Sequence, residues 1–299
     1  MTMTLVQGTH EITVDGVRQV FHVAGAGPVC LVHSGGPGIE WRYLRLPALE
    51  EHLTMVYLEP IGTGSSGRLD DPRDYRIDTY ARFVHGVVEH LDVPSVFLLG
   101  HSHGGFVVQR YALDHPGRVA GAILYSTSPV TGEEFWNDAM ARIAAFPERL
   151  PHRPAAAEIP AAFQRALAAQ DDEAYTTSLR EILPAYFADY WTREQDLEPL
   201  RAALRAWIDP MRGEEPAPFD VRGELRSLVV PVLIISGVHD FFGGTRWARL
   251  AQELIPGSRL AVLEESGHMG HLEQPEEFTR VIAGFAVAGA DVSAGRTAR

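Results

Sequence analysis

Five residues, Gly100-His101-Ser102-His103-Gly104, constrain this chain more than any other stretch. They follow Val96-Phe97-Leu98-Leu99, an apolar run of strand length bounded by Pro94. Phe106-Val107-Val108, Tyr111 and Leu113 then fall at helical spacing, and His115-Pro116-Gly117 is a stop signal. A strand that passes into a helix through so sharp a turn has no room for side chains beside it, which accounts for Gly100 and Gly104. Ser102 is thereby placed on a strained corner with its hydroxyl exposed, and the N–H of His103 is free to face a developing negative charge. Strand, G-x-S-x-G and helix together predict a nucleophile elbow.

The flanking chain alternates in the same way. Ile12-Thr13-Val14 and Val20-Phe21-His22-Val23 flank Asp15-Gly16, a hairpin signal. An apolar strand ending at Val32 enters the glycine-rich loop His33-Ser34-Gly35-Gly36-Pro37-Gly38, whose backbone N–H groups are open to an anion. A helix is predicted around Leu44 to Leu53 and a strand over Met55-Val56-Tyr57-Leu58. A second helix carries Phe83, Val84, Val87, Val88 and Leu91 behind Asp78 as N-cap. Strands follow at Ala122 to Tyr125, Val229 to Ile235 and Leu260 to Leu263, and a closing helix buries Phe278, Val281, Ile282 and Phe285 on one face. Such alternation predicts an α/β fold with a mostly parallel central sheet and flanking helices. It lapses from about 130 to 222, where the chain is helical and interrupted by proline; this stretch is expected to be a helical lid over the sheet edge. The expected organisation is a core of 1–129 and 223–288, a lid of 130–222 and a structureless tail of 289–299.

Composition narrows the function class. With 299 residues and 45% hydrophobic content the chain can build one large α/β domain with an insertion. A formal net charge of −13 disfavours nucleic acid and anionic membrane surfaces as partners. The single cysteine, Cys30, cannot form an internal disulfide and is expected in the core; no metal-type cysteine spacing exists. The N-terminus has neither a basic n-region nor a long apolar run, so a cytoplasmic location is the expectation.

Acyl transfer by a serine requires a base for the hydroxyl proton, an acid to fix that base's tautomer, and donors for the oxyanion. Asp240 and His268 each lie just past the C-terminal end of an expected strand, and the ends of parallel strands converge on the edge that holds Ser102. The chain order Ser102, Asp240, His268 suits such a triad. His101, His103, His115, His239 and His271 are rivals for the base. The loop after the early strand falls where a second oxyanion donor belongs.

With these residues in view, the chain resembles the α/β-hydrolase superfamily over nearly its whole length, and more narrowly the proline iminopeptidase family. The resemblance is carried by Gly35-Gly36-Pro37-Gly38, the Gly62-x-Gly64-x-Ser66 loop, Gly100-His101-Ser102-His103-Gly104-Gly105, Asp240, Ser266-Gly267-His268 and Glu273-Gln274-Pro275-Glu276. It departs at Ser34, where the family has histidine (here His33), and at Ile61, where the family has arginine. The resemblance implies the α/β-hydrolase fold, oxyanion N–H groups from Gly36 and His103, and lid glutamates that hold a substrate's free α-amino group. Glu214 and Glu215 are the candidates for that role, with Glu173, Glu181, Glu194 and Glu198 as others. The expected activity is removal of an N-terminal aminoacyl group from a peptide or a non-peptide amine, without metal or organic cofactor. A carboxylesterase, lactonase or C–C bond hydrolase is the alternative on the same machinery. A non-catalytic binding protein is a remote third. Haloalkane dehalogenases and epoxide hydrolases use aspartate where Ser102 stands.

Overall fold

The computed structural model describes residues 5–208 and 218–297. Eight strands, β1 (Gly8–Val14), β2 (Val17–Gly25), β3 (Val29–His33), β4 (Thr54–Leu58), β5 (Val96–His101), β6 (Val119–Tyr125), β7 (Val232–Gly237) and β8 (Arg259–Leu263), form one sheet in the order β1-β2-β4-β3-β5-β6-β7-β8. β1 and β2 make the expected hairpin; Asp15 (φ 50°) and Gly16 (φ 81°) are both left-handed, as a tight two-residue turn requires. β2 is antiparallel to β4, and the six strands from β4 to β8 are mutually parallel.

The central strands read as unbroken apolar runs because both faces of the sheet are covered. Leu31, Val56, Leu98, Leu124 and Ile234 face one way and pack on α2 (Ile77–His90), α3 (His103–Asp114) and α9 (Arg246–Leu254). Their neighbours Val32, Tyr57, Leu99, Tyr125 and Ile235 face the other way, toward α1 (Pro47–Glu50) and α11 (Pro275–Thr297), which follows the single-turn α10 (Gly270–Glu273). Cys30 lies on this second face, fully buried, and burial pushes its thiol up to about 12.

Between β6 and β7 the chain forms α4 (Glu133–Ala144), α5 (Phe146–Arg149), α6 (Ile159–Ala168), α7 (Asp172–Ile182) and α8 (Glu194–Ala203). The base of this cap is pinched: Val130 pairs with Asp220, and Thr131 N–H donates to the Phe219 carbonyl at 2.7 Å. Ile159, Phe163, Leu179 and Ile182 of the cap belong to the same apolar cluster as Leu99 and Tyr125 of the sheet.

The structure differs from the expected elements in four places. The strand expected over Val229 to Ile235 begins only at Val232, because Pro231 has no N–H for the sheet. In place of one helix over 44–53 there is a 3₁₀ turn at Trp41–Leu44 and then the single-turn α1. Pro47 is the cause: it disfavours a helical Leu46, whose ψ is 71°, and the chain restarts beyond it. α2 begins one residue before Asp78, so Asp78 sits in the first turn, favourable to the helix dipole, and Arg76 is the N-cap. α11 continues to Thr297 through the segment expected to be structureless; after Pro275 no proline interrupts it, and alanine favours continuation. Among the described residues no helix is long and apolar enough to cross a membrane.

Candidate active site

β5 ends at His101 and α3 begins at His103, so Ser102 alone makes the turn, at φ 54° and ψ −119°. That is a left-handed conformation for a residue with a Cβ, held in place by its surroundings. A Cβ on Gly100 would come 2.2 Å from the Gly104 carbonyl oxygen, and one on Gly104 would come 2.2 Å from that of His33. Gly105 is equally constrained, its Cβ position lying 2.4 Å from the Thr127 side chain. The sequence pattern pointed to the first two glycines; the third is explained only by the approach of Thr127.

Asp240 follows β7 and His268 follows β8, both almost fully buried. His268 Nδ1 lies 2.7 Å from Asp240 Oδ2, and Asp240 Oδ1 accepts the Phe242 N–H at 2.9 Å. An ionised Asp240 can only accept, so Nδ1 carries the proton and Nε2 has its lone pair free. Ser102 and His268 line one cavity of about 100 Å³ together with Gly36. The N–H of Gly36 and that of His103, at the first position of α3, are not committed to another hydrogen bond among the described residues. The His103 ring packs edge-on against Tyr80 of α2.

Two of the rival histidines are locked beneath the site. His101 Nε2 is 3.0 Å from the His268 carbonyl, an acceptor only, so Nε2 carries the proton. His101 Nδ1 must then accept, and it takes the Tyr43 hydroxyl proton at 2.6 Å. Tyr43 in turn accepts the Gly35 N–H at 2.7 Å. His271 repeats the logic: Nε2–H donates to the Tyr43 carbonyl at 2.9 Å, and Nδ1 accepts from Tyr125 Oη at 3.0 Å, which is shared with the His268 carbonyl at 3.1 Å. Every member is satisfied with both imidazoles neutral. Burial, reinforced by the neighbouring His268 and His271, holds His101 well below the usual histidine range, and burial brings His271 down to about 4. His115 stacks on His85 away from the cavity.

These buried rings make the fold acid-sensitive. Burial also lowers His33 to about 4 and His103 to about 3. Below the unfolded value of 6.5 the unfolded chain takes up protons that the native chain refuses, so stability falls as pH drops from there to the folded values. Each of these sites contributes a loss that deepens as pH falls toward its folded value, and His33 and His103, whose rings adjoin, titrate as a pair. Far-UV and near-UV circular dichroism along a pH titration are therefore expected to show cooperative unfolding near about pH 5. Retention of native near-UV signal through about pH 3.5 would contradict the neutral network.

Helices between β6 and β7 line the cavity. Phe163, Ala166, Leu179, Ile182 and Tyr186 form its walls, and Trp136 and Leu167, 42% and 45% exposed, stand at its rim. Among the described residues that line it none is Asp, Glu, Lys or Arg. Glu214 and Glu215 lie outside the described residues. Glu173, Glu181, Glu194 and Glu198 do not line the cavity, and Glu181 is paired with Arg165 on the surface.

The residues beside the resemblance motifs turn out to be braces. Ser66 Oγ donates to the Glu59 carbonyl at 2.7 Å and accepts the Val20 N–H at 2.9 Å, joining β2 to the end of β4 away from the cavity. Glu273 accepts N–H bonds at 2.7 Å from both Gly267 and Ala188, and Gln274 Oε1 accepts from Glu265 N–H and Ser266 Oγ. The motif Glu273-Gln274-Pro275-Glu276 was the only sequence signal for this bracing.

A sequence profile of the alpha/beta hydrolase fold matches residues 27–275. The 2-hydroxy-6-oxo-2,4-heptadienoate hydrolase of Pseudomonas putida is 25% identical over 284 residues, 93% of this chain and 95% of that protein. The proline iminopeptidase of Heyndrickxia coagulans is 26% identical over 292 residues, 92% of this chain and 96% of that protein. The crystal structure of a proline iminopeptidase from Mycobacterium smegmatis matches with a TM-score of 0.71 at 22% identity, covering 96% of this chain and all of that one.

Proposed function

Because this chain belongs to the α/β-hydrolase fold family, we propose that it is a serine hydrolase cleaving a carboxylic ester with a neutral, apolar acyl group. The observation that carries this reading is the cavity itself: Ser102 and His268 open into a space whose described lining is uncharged and largely aliphatic or aromatic. Such a wall favours apolar groups by roughly 25 cal/mol for each Å² it removes from water. Among the described residues it offers a cationic amine no counter-charge, and a buried ammonium without one is costly.

Ser102 Oγ attacks the carbonyl carbon while His268 Nε2 takes the hydroxyl proton. Asp240 holds the Nδ1–H and stabilises the imidazolium. The carbonyl oxygen, now negative, is met by the Gly36 and His103 N–H groups. Collapse expels the alcohol, which takes the proton from His268, and leaves the acyl group on Ser102. Water repeats the sequence: His268 deprotonates it, the acid leaves, and Ser102 regains its proton. The Ser102 and His268 side chains share the cavity without a hydrogen bond between them, a contact that commonly closes only around substrate.

One observation favours a second reading, removal of an N-terminal aminoacyl group. Ala206 pairs with Ile39, and Trp207 N–H donates to the Gly38 carbonyl at 2.8 Å, so the described chain leaves Ile208 beside the oxyanion loop, a few residues ahead of Glu214 and Glu215. The relatives include a proline iminopeptidase. A chromogenic panel separates the two: short-chain nitrophenyl esters, prolyl- and alanyl-anilides, and the same anilides with a blocked amine. Ester turnover exceeding anilide turnover by roughly 10²-fold is expected. Cleavage of free-amine anilides that is lost on blocking would replace the ester reading by the second.

A further inference from the structure

The cap and the catalytic loop meet at a set of hydrogen bonds that the mechanism above does not use. The residues on either side of His268 are held by the segment that follows α7. Tyr186 C=O accepts His268 N–H at 2.7 Å and Met269 N–H at 3.2 Å. Glu273 spans the same junction: one carboxylate oxygen takes the Gly267 N–H, the other the Ala188 N–H, each at 2.7 Å. Arg193, at the foot of α8, donates to the Leu272 carbonyl at 2.7 Å, closing the far side. The approach is tight enough to demand glycine at 267, where a Cβ would come 2.6 Å from the Tyr186 carbonyl oxygen. Elsewhere His268 is held at its carbonyl and its Nδ1, and its ring packs among those of His101, Tyr186, Phe241 and Phe242. Its backbone N–H and that of its predecessor depend on the cap and on Glu273.

We propose that Glu273 is a positioning residue for His268, and that through it the Tyr186–Ala188 segment of the cap sets where the imidazole stands. The proposal rests on the triad reading and deepens it. Two N–H donors from segments far apart in the chain converge on one side chain, and only a carboxylate offers an acceptor to each. An amide of the same shape offers one acceptor and turns an NH₂ toward the other N–H, so one bond becomes a donor–donor contact. The junction then relaxes, Gly267 and His268 shift, and a displacement of the base by about 1 Å costs on the order of 10²-fold in rate. Glu273 does not line the cavity, so binding of substrate is not its office.

The test is Glu273→Gln in the full chain, read in three ways: ester kinetics, thermal melting, and the downfield proton NMR signal of the His268 Nδ1–H held by Asp240. The expected result is a fall in kcat of roughly 10- to 100-fold, with KM within about twofold, a melting point close to wild type, and a shifted or broadened downfield proton. Should Glu273→Gln not accumulate as folded protein, Glu273→Asp, which reaches only one of the two N–H groups, is read in the same way. A kcat within about twofold of wild type overturns the proposal. So does a loss of activity that merely tracks a loss of folded protein while the downfield proton stays where it was. The NMR reading needs no turnover: if wild type proves inactive on esters, the ester reading fails on its own while the coupling between Glu273 and His268 is still decided.

Discussion

Ser102→Ala lowers kcat/KM on any ester that the wild type cleaves by roughly 10⁵-fold, with no comparable loss of stability. Triad members act as a unit, so removing the nucleophile forfeits the base and the acid as well, and what survives is the contribution of the oxyanion donors and of binding. The backbone at this position is left-handed whichever side chain it carries, so alanine inherits the strain without adding to it. Ser102→Gly provides the internal control. It is expected to be as inactive as Ser102→Ala and to melt higher, because glycine adopts φ near 54° without the cost of about 1 kcal/mol that a Cβ imposes there. Ester kinetics and a fluorophosphonate label read the outcome. Retention of a tenth of the wild-type rate (roughly a 10-fold fall where about 10⁵ is expected) would remove Ser102 from the mechanism.

Gly104→Ala is expected to be strongly damaging for the addition of a single methyl. In a helix interior alanine ordinarily improves on glycine by about 1 kcal/mol, and Gly104 is not among the residues with positive φ. The surroundings reverse the sign. The new Cβ would lie 2.2 Å from the His33 carbonyl oxygen and 2.7 Å from that of Ser34. Both are backbone atoms at the end of β3, with no side chain to swing aside, so α3 must withdraw from β3. The Ser34–Gly36 loop moves with β3, and Ser102 and His103 move with α3, so the Gly36 N–H parts from Ser102 and from the His103 N–H. A stability loss of about 3 kcal/mol and an activity loss of about 10²-fold or more follow. Urea unfolding and ester kinetics measure the two. Wild-type stability in Gly104→Ala would mean that α3 and β3 are not in the contact described.

The elements that a linear chain declares most clearly were those whose cause is local. The elbow, the Asp15-Gly16 hairpin and most of the apolar strands rest on neighbours a few residues away and are where the sequence places them; β7 alone starts late, at Val232 beyond Pro231. That Asp240 and His268 come together was legible by a longer argument: each follows a parallel strand, and parallel strands bring their ends together. Pro47 carried its own warning, since proline limits the residue before it, yet the apolar spacing around it suggested a longer helix. What the sequence left unread depends on contacts between distant segments. The cavity wall takes scattered side chains from α4, α6, α7 and the turn after α7, none of which announces that it faces Ser102. The neutral His101 and His271 look in sequence like rivals for the base. Only the carbonyl acceptors opposite their Nε2 atoms, supplied by His268 and Tyr43, fix them as structural. Glu273 reads as one more charged residue near a proline until its two N–H partners, one of them 85 residues away, are seen.

The apolar cluster that runs without a seam from the sheet into the cap has a consequence for how such a protein can diversify. Ile159, Phe163 and Ile182 belong to one apolar cluster with Leu99 and Tyr125, so grafting a relative's cap onto this core is expected to open voids at the joint as well as change the specificity. Chimeras built at the Val130–Asp220 pinch are therefore expected to lose catalysis before they gain a new substrate. Drift by single exchanges at the rim, at Trp136 and Leu167, escapes that penalty because those side chains stand partly in solvent. New substrates are reached from the doorway inward, while the joint between cap and core stays as it is.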